Sequence, residues 1–522
     1  TNDLYNGKQS KNPSFLRGVY FFLQLKLHVE YLNSLCVIRN VKPMRTKPFL
    51  LFLLPVLLIP ITQLGFAQQY HAIHGSPYAG VSGAFNNPAS IGNSLHRWDF
   101  QLFSGQTSIY TNTIWAQSLK NAITNRPGDY IKDGFQSRNF TTNSDLSLFS
   151  AMYRINKKHA VAIAFRGKMY NHIYTNEFNI QDTSTSLRSF FKLNRTTPFL
   201  ESKSIHVGWG ELNLTYAGAL IETDNSRLTA GATLQFSKSL IGGFSKMNKA
   251  RFRENINGSD TSYTSTSGVG EYGYSSNYDV LQQFGATSAS IKSFLNEAKS
   301  SIGLTVGLEY IKYDDETYLD RRNYSGRVYN YKIGFSIVDI GSQKFNNSQY
   351  TGRFSENNNG ISDAAIARAF NGVNNTRDLR DSLAVIYDSV QVLPPTFTIE
   401  NPTRAIVNFD KQINANFFVN TQMVIHLSNA KNAIKQKSND YSFITITPRW
   451  ETLNWGVYMP IQYTRDGQVW TGLAVKAGPV IAGIHRLGIL KQGSLLNGGG
   501  YILLNIHPFR KKEMKSRIDC FE

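Results

Sequence analysis

Apolar and polar side chains alternate along this chain in runs of roughly 10–13 residues, and that pattern limits what it can fold into. In 159–169, His159, Val161, Ile163, Phe165 and Met169 share one face; Ala160, Ala162, Ala164, Arg166 and Lys168 share the other. In 227–237, Leu228, Ala230, Ala232, Leu234 and Phe236 oppose Arg227, Thr229, Thr233, Gln235 and Ser237. In 301–310, Ile302, Leu304, Val306, Leu308 and Tyr310 oppose Ser301, Gly303, Thr305, Gly307 and Glu309, and 413–425 repeats the pattern. A period of two is that of a strand. Strands of soluble domains average about 5–6 residues, whereas a tilted strand that crosses a bilayer needs about 9–11. The polar faces carry Asn, Gln, Thr and Arg, which suits a polar lumen behind a lipid-facing apolar band.

Such segments recur near 98–112, 144–155, 159–173, 206–221, 226–239, 301–313, 328–340, 403–410, 413–426, 441–450, 452–463, 468–477, 478–487 and 499–509. An even count is the rule for single-chain bacterial barrels. The expected fold is all-β: a transmembrane antiparallel β-barrel of about 14 strands over 98–509. Tight turns are expected at Asn156-Lys157-Lys158, Asp224-Asn225-Ser226 and Arg465-Asp466-Gly467, and long polar loops at 113–143, 174–205, 240–300 and 341–402. Two of these loops carry helical spacing, with Leu281, Phe284, Ile291 and Leu295 in one and Ile366, Leu379, Leu383 and Ile386 in the other. These helices are expected to cap or partly plug the barrel mouth; a substrate-gating element is the alternative. The last strand, Tyr501 to Phe509, ends on an aromatic as terminal barrel strands do, and a tail follows over 510–522.

Composition agrees. The only cysteines are Cys36 and Cys520, so neither a disulfide framework nor a cysteine metal site is available. After residue 67 no apolar run reaches 18 residues, so no helix is expected to anchor the chain. Basic residues are spread rather than clustered, apart from Arg510-Lys511-Lys512. That argues against nucleic acid and for an anionic membrane surface, with outer-membrane lipid and lipopolysaccharide as partners.

Met44 to Ala67 reads as a secretory signal. Arg45 and Lys47 give it a basic start, Phe49 to Ile61 an apolar core, and Gly65-Phe66-Ala67 a cleavage site. Cleavage would fall between Ala67 and Gln68. Residues 1–43 are then expected to be an extension translated upstream of the true start; a cytoplasmic extension on a membrane anchor is the alternative. Removing the eight basic and two acidic residues before Gln68 lowers the net charge from +19 to about +13. Residues 68–97 hold Gly75, Gly80, Gly83 and Gly92 with Pro77 and Pro88, and cannot form a long strand or helix. They are expected to fold back into the lumen as a hatch, because fourteen strands enclose more room than side chains fill.

No catalytic residues, cofactor or metal site are expected. His71 and His74 lie near one another without an acidic partner, and His485 and His507 fall in expected strands, facing the lumen or an aromatic girdle. Asp314-Asp315-Glu316 reads as a solvated turn, with a weak calcium contact as the alternative.

The hatch contains Asn87-Pro88-Ala89 just before the first strand. This step resembles the hatch of barrels such as the long-chain fatty acid transporter, and of barrel subunits associated with type IX secretion. Tyr331 to Ser342, including Val338-Asp339-Ile340-Gly341, and Leu393-Pro394-Pro395 leading into Ile406 to Asp410 resemble a Bacteroidota family of outer-membrane barrels without assigned function. The resemblance spans roughly 70–510 and implies a fourteen-stranded barrel, with Asn87, Pro88 and Ala89 as structural hatch residues. Two functions fit. One is passage of small apolar or amphipathic molecules across the outer membrane. The other is a structural or secretion-associated barrel that docks exported proteins. A lumen lined by aromatics, with a lateral opening in the wall, would favour the first, and a lumen filled by 68–97 with no continuous path the second.

Overall fold

The computed structural model describes residues 73–507, apart from 117–129, 182–185, 285–286, 314–328, 356–359, 372, 374, 428–435, 438–440 and 492–493. The signal segment with Ala67 and Gln68, residues 1–43, His71, Asp314, Asp315, Glu316 and the 510–522 tail lie outside that set.

The described residues close into an antiparallel barrel of 14 strands. They are β1 (Trp98–Thr111), β2 (Gly134–Arg154), β3 (His159–Ile180), β4 (Leu200–Glu222), β5 (Ser226–Asn257), β6 (Ser300–Lys312) and β7 (Tyr331–Asn346). There follow β8 (Arg404–Gln412), β9 (Phe417–His426), β10 (Phe443–Glu451), β11 (Trp455–Tyr458 with Ile461–Thr464), β12 (Val469–Thr471 with Leu473–Ala477), β13 (Val480–Ile484) and β14 (Gly498–Ile506). Each pairs with its sequence neighbour in this series, and β14 returns to β1 from Phe100↔Ile506 to Ile109↔Gly498. Closure leaves no unpaired edge, which is what lets strands stand in hydrocarbon.

The alternation dictates which way each side chain faces. Leu214, Leu234, Phe236, Ile302, Leu308, Phe335, Ile444 and Val475 point outward and are exposed without lipid, while Thr233, Gln235, Thr305, Thr445 and Lys476 point inward and are buried. The outward set is a lipid-facing band around a polar interior. Among the described residues no helix is long and apolar enough to cross a membrane.

All fourteen expected segments are strands, but five reach into stretches read as loops, β7 by running on to Asn346. Strands β2 to β5 run on through parts of the stretches read as loops, and Ser226–Asn257 forms a hairpin with Asp260–Tyr274. Their overhang, with helices α1 (Leu187–Leu193), α2 (Asn277–Phe284), α3 (Ser288–Glu297), α4 (Asp363–Ala369) and α5 (Thr376–Ile386), builds a head at the long-loop end. Its core unites Phe178, Phe190, Phe191, Tyr263, Ile366 and Ile386. The alternation was obscured there because both faces of these extensions meet protein or water, not lipid. One boundary also shifts. Strand β9 starts at Phe417, since residues 413–416 make the turn in which Ile413 N donates to Phe417 O. The Arg465-Asp466-Gly467 turn sits at the head end, because it joins β11 to β12.

Candidate functional site

The lumen is built from the inward face of every strand, and residues 73–97 lie across it. The sequence makes room for them. Small inward residues Ala160, Ala162, Ala164, Ala217, Gly231, Gly307 and Gly334 hollow the β3–β7 wall. Gly231 faces Gly307 in register across β5 and β6. The Pro88–Ala89 peptide rests on Gly231, where an added Cβ would lie 2.5 Å from the Ala89 nitrogen. Asn87 packs over Gly307 and Gly334, its Nδ2 donates to Leu308 O at 2.9 Å, and its Oδ1 accepts from Ala89 N at 3.0 Å. The last contact caps the 3-10 turn Pro88–Asn93, whose first residue, proline, has no amide hydrogen to satisfy. The three expected hatch residues are thus brought together on one glycine seat.

The rest of the segment meets the remaining wall. Val81 N donates to Asp99 Oδ1 on β1 at 2.9 Å, and Asn505 of β14 donates to Ser82 Oγ at 3.3 Å. Val81, Ala84 and Ile91 cluster with Met152, Ala160 and Ala217 of β2, β3 and β4. Asn93 donates to Glu309 of β6 and accepts from Thr229 of β5. Ser336 of β7 donates to Asn86 O at 2.5 Å. His74 Nδ1 donates to Gln422 Oε1 of β9 at 2.7 Å, and its Nε2 accepts from Asn86. Ser76 donates to Glu451 of β10, Lys476 of β12 lies 4.7 Å from the Tyr78 ring, and Ile73 joins Tyr458, Ile481 and Leu503 of β11, β13 and β14. Beside β8, Gly75 packs on Asn408 and Asp410.

His74 is therefore a hydrogen-bonded wall contact, and no cluster of metal-binding side chains occurs among the described residues. His485 and His507 stand just past the ends of β13 and β14 rather than inside strands. His507 Nδ1 lies 2.6 Å from Asp99 Oδ2 and its ring stacks on His96 at 3.8 Å.

Charged residues line the wall in two groups that the sequence reading did not single out. On one side Arg449 binds Asp410 at 2.6 Å and Glu451 at 3.1 Å, and Tyr329 donates to Asp410. On the other, Lys168 of β3 lies 3.2 Å from Glu211 of β4 and 2.5 Å from Asp339 of β7. Arg404 of β8 holds the other Asp339 oxygen at 3.1 Å, Gln235 donates to Asp339 at 3.0 Å, and Arg166 pairs with Asp145. All are buried, so each depends on its partners. One signal was available: Arg166 and Lys168 already fell on the polar face of a strand read as membrane-crossing, where a charge is a candidate functional group.

Read up the strands, the lumen is layered. The 73–97 segment comes first. A cavity of about 10 Å³ follows, room for roughly one water, lined by Val81, Ala84 and Phe85 below and by Arg166, Gln235 and Thr305 on the wall. The Lys168–Asp339 group is next. Above it stand Tyr170, Trp209, Phe244, Phe345 and Phe397, with Tyr170 and Trp209 stacked at 5.5 Å.

Fold and lumen together define the class: a closed β-barrel of the outer-membrane type, with residues 73–97 lodged inside. Within that class the chain belongs to the family of unknown function DUF5723, whose model matches residues 88–483. Among solved structures, it is similar to the toluene transporter TbuX of Ralstonia pickettii at 12% identity, covering 82% of this chain and 92% of that one, with a TM-score of 0.34. A FadL homologue of Pseudomonas aeruginosa gives 12% identity, 83% and 95% coverage and a TM-score of 0.37. The toluene transporter TodX of P. putida gives 8%, 82% and 93%, and 0.35. No curated protein matches the chain.

Proposed function

We propose that this protein sits in the outer membrane, is exported there after cleavage between Ala67 and Gln68, and passes small amphipathic solutes when residues 73–97 shift as a plug. The observation that carries this is the nature of the plug's seat. Beside apolar contacts at Val81, Ala84, Ile91 and Ile73, it consists of glycine notches under Asn87 and of hydrogen bonds to inward polar side chains at Ser82, Ser76 and Asn93. Water can replace such hydrogen bonds at small net cost. The lining also bears on the cargo. Aromatic rings above buried ion pairs suit a molecule with an apolar body and a polar head. A pure hydrocarbon would leave those charges desolvated and unsolvated by anything it carries.

The test is a reversible lock. In a Cys520→Ser background, with Cys36 removed by the cleavage, Ser82→Cys and Asn505→Cys are joined by oxidation or a short bifunctional crosslinker. Proteoliposomes with the reduced protein should swell in isosmotic amphipathic solute, and locked ones should not. Equal swelling in both states, or in neither, counts against the conduit.

A second reading is favoured by the filling of the lumen by residues 73–97, which leaves a cavity of only about 10 Å³, and by the head. Its own aromatic core, built from α1, α4, α5 and the β5 hairpin, makes a folded surface beyond the lipid band. A barrel that docks exported proteins would present such a surface and never open. It predicts no swelling in either state, together with protein partners crosslinked to the head.

A further inference from the structure

We infer that Lys168 and Asp339 form a filter across the lumen that selects solutes with a zwitterionic head; this rests on the conduit reading. Strand β7 carries one extra residue at this point. Its register with β6 slips between Ile337 and Ile340, so Val338 and Asp339 both face inward. Asp339 holds φ +60, a left-handed conformation that a residue other than glycine adopts at a cost. The bulge re-aims its carboxylate across the barrel, toward β3, which lies four strands away along the sheet. There it meets Lys168 Nζ at 2.5 Å. The bridge stands between the small cavity over residues 81–85 and the Tyr170–Trp209 aromatic layer.

Opening this bridge strands neither charge. Lys168 keeps Glu211 at 3.2 Å, and Asp339 keeps Arg404 at 3.1 Å and Gln235 at 3.0 Å. Buried ion pairs are expensive to break mainly because a partner is left uncompensated. Here each partner is held from its own side, so the gap between them is where the layer parts most cheaply. A solute recovers the pairing lost on opening only if it replaces both halves. Across the group Arg166, Lys168 and Arg404 balance Asp145, Glu211 and Asp339, so no net field draws a lone cation or anion in. A solute with an ammonium facing Asp339 and a carboxylate or similar anion facing Lys168 restores both pairs at once.

The test compares liposome swelling in leucine, a small zwitterionic amphiphile, with arabinose, a neutral solute, and gluconate, an anion. Wild-type protein should admit leucine about tenfold faster than the other two. Asp339→Asn keeps a residue that tolerates positive φ and removes only the charge; Lys168→Met leaves Glu211 bonded by Trp209 and Asn213. Either variant should lose the leucine preference while still admitting arabinose. Folding of each is checked by its faster migration on unboiled gels. Wild-type swelling with no preference among the three solutes, or a preference that survives in both variants, overturns the filter. Wild-type protein that swells in none of them overturns the conduit reading instead.

Discussion

Gly231 lies directly beneath Ala89, so close that a Cβ on the glycine would stand 2.5 Å from the Ala89 amide nitrogen. The contact is with backbone, which has no rotamer to yield. Gly231→Val should therefore unseat the plug rather than the barrel, since Gly231 otherwise sits in an intact ladder between Ala217 and Gly307. We expect a loss of about 1–3 kcal/mol from overpacking. The variant should still migrate as a folded barrel, and residues 73–97 should become protease-sensitive from the side opposite the head. Protection equal to wild type would place the segment elsewhere.

Arg449 carries both Asp410 and Glu451 in full burial. Arg449→Leu should cost about 3–5 kcal/mol, the penalty for a buried charge left uncompensated. Pairing it with Asp410→Asn should recover a large part of the loss. Urea titrations of the protein refolded in detergent give both values; a double variant no better than the single one would show that the pair is not coupled.

Orientation of the wall is tested by neighbours on one strand. Leu234 faces outward and Gln235 inward. Leu234→Arg should destabilise the barrel in lipid by about 2–4 kcal/mol if the residue is near the bilayer centre. Gln235→Leu should leave bilayer insertion unchanged, because that side chain faces Asp339 in the lumen. Reversed effects would invert the barrel.

The head has its own pH dependence. Burial raises the Asp279 carboxyl above its ordinary value, against donation from Ser348 and Tyr274, which pulls it down. A carboxyl raised on folding favours the neutral form. Its stabilising contribution is full below the unfolded value, about 3.9, and is lost as pH rises through the folded one. Proteolysis between α2 and α3 should therefore be slower in mild acid than at neutral pH, and Asp279→Asn should flatten the difference. An unchanged pH dependence in the variant would assign it to another group.

How much of this was legible depends on what each face of a strand touches. Lipid outside and polar lumen inside impose a two-residue period, and it was readable wherever both held, as at Leu234 and Gln235. It failed in the overhangs of β2–β5 and in the hairpin strand Asp260–Tyr274, where Phe252 and Tyr263 pack under helices instead of lipid. Asn87-Pro88-Ala89 could be read as a hatch because glycine and proline rule out a strand. Its seat could not, since Gly231, Gly307 and Gly334 lie on three strands brought together only by closure. Asp339 was hidden for a related reason: a bulge leaves two consecutive inward residues, which in sequence looks like a strand running out. Arg449 and Asp410 are 39 residues apart in the chain, and nothing local pairs them.

Whether residues 73–97 close the lumen and can release it is measured directly by single-channel recording in planar bilayers. Wild-type protein should stay closed apart from brief openings, and a variant lacking 73–97 should hold a steady open level. A wild-type barrel that conducts as steadily as the deletion variant, or a deletion variant that stays closed, would contradict the plug reading.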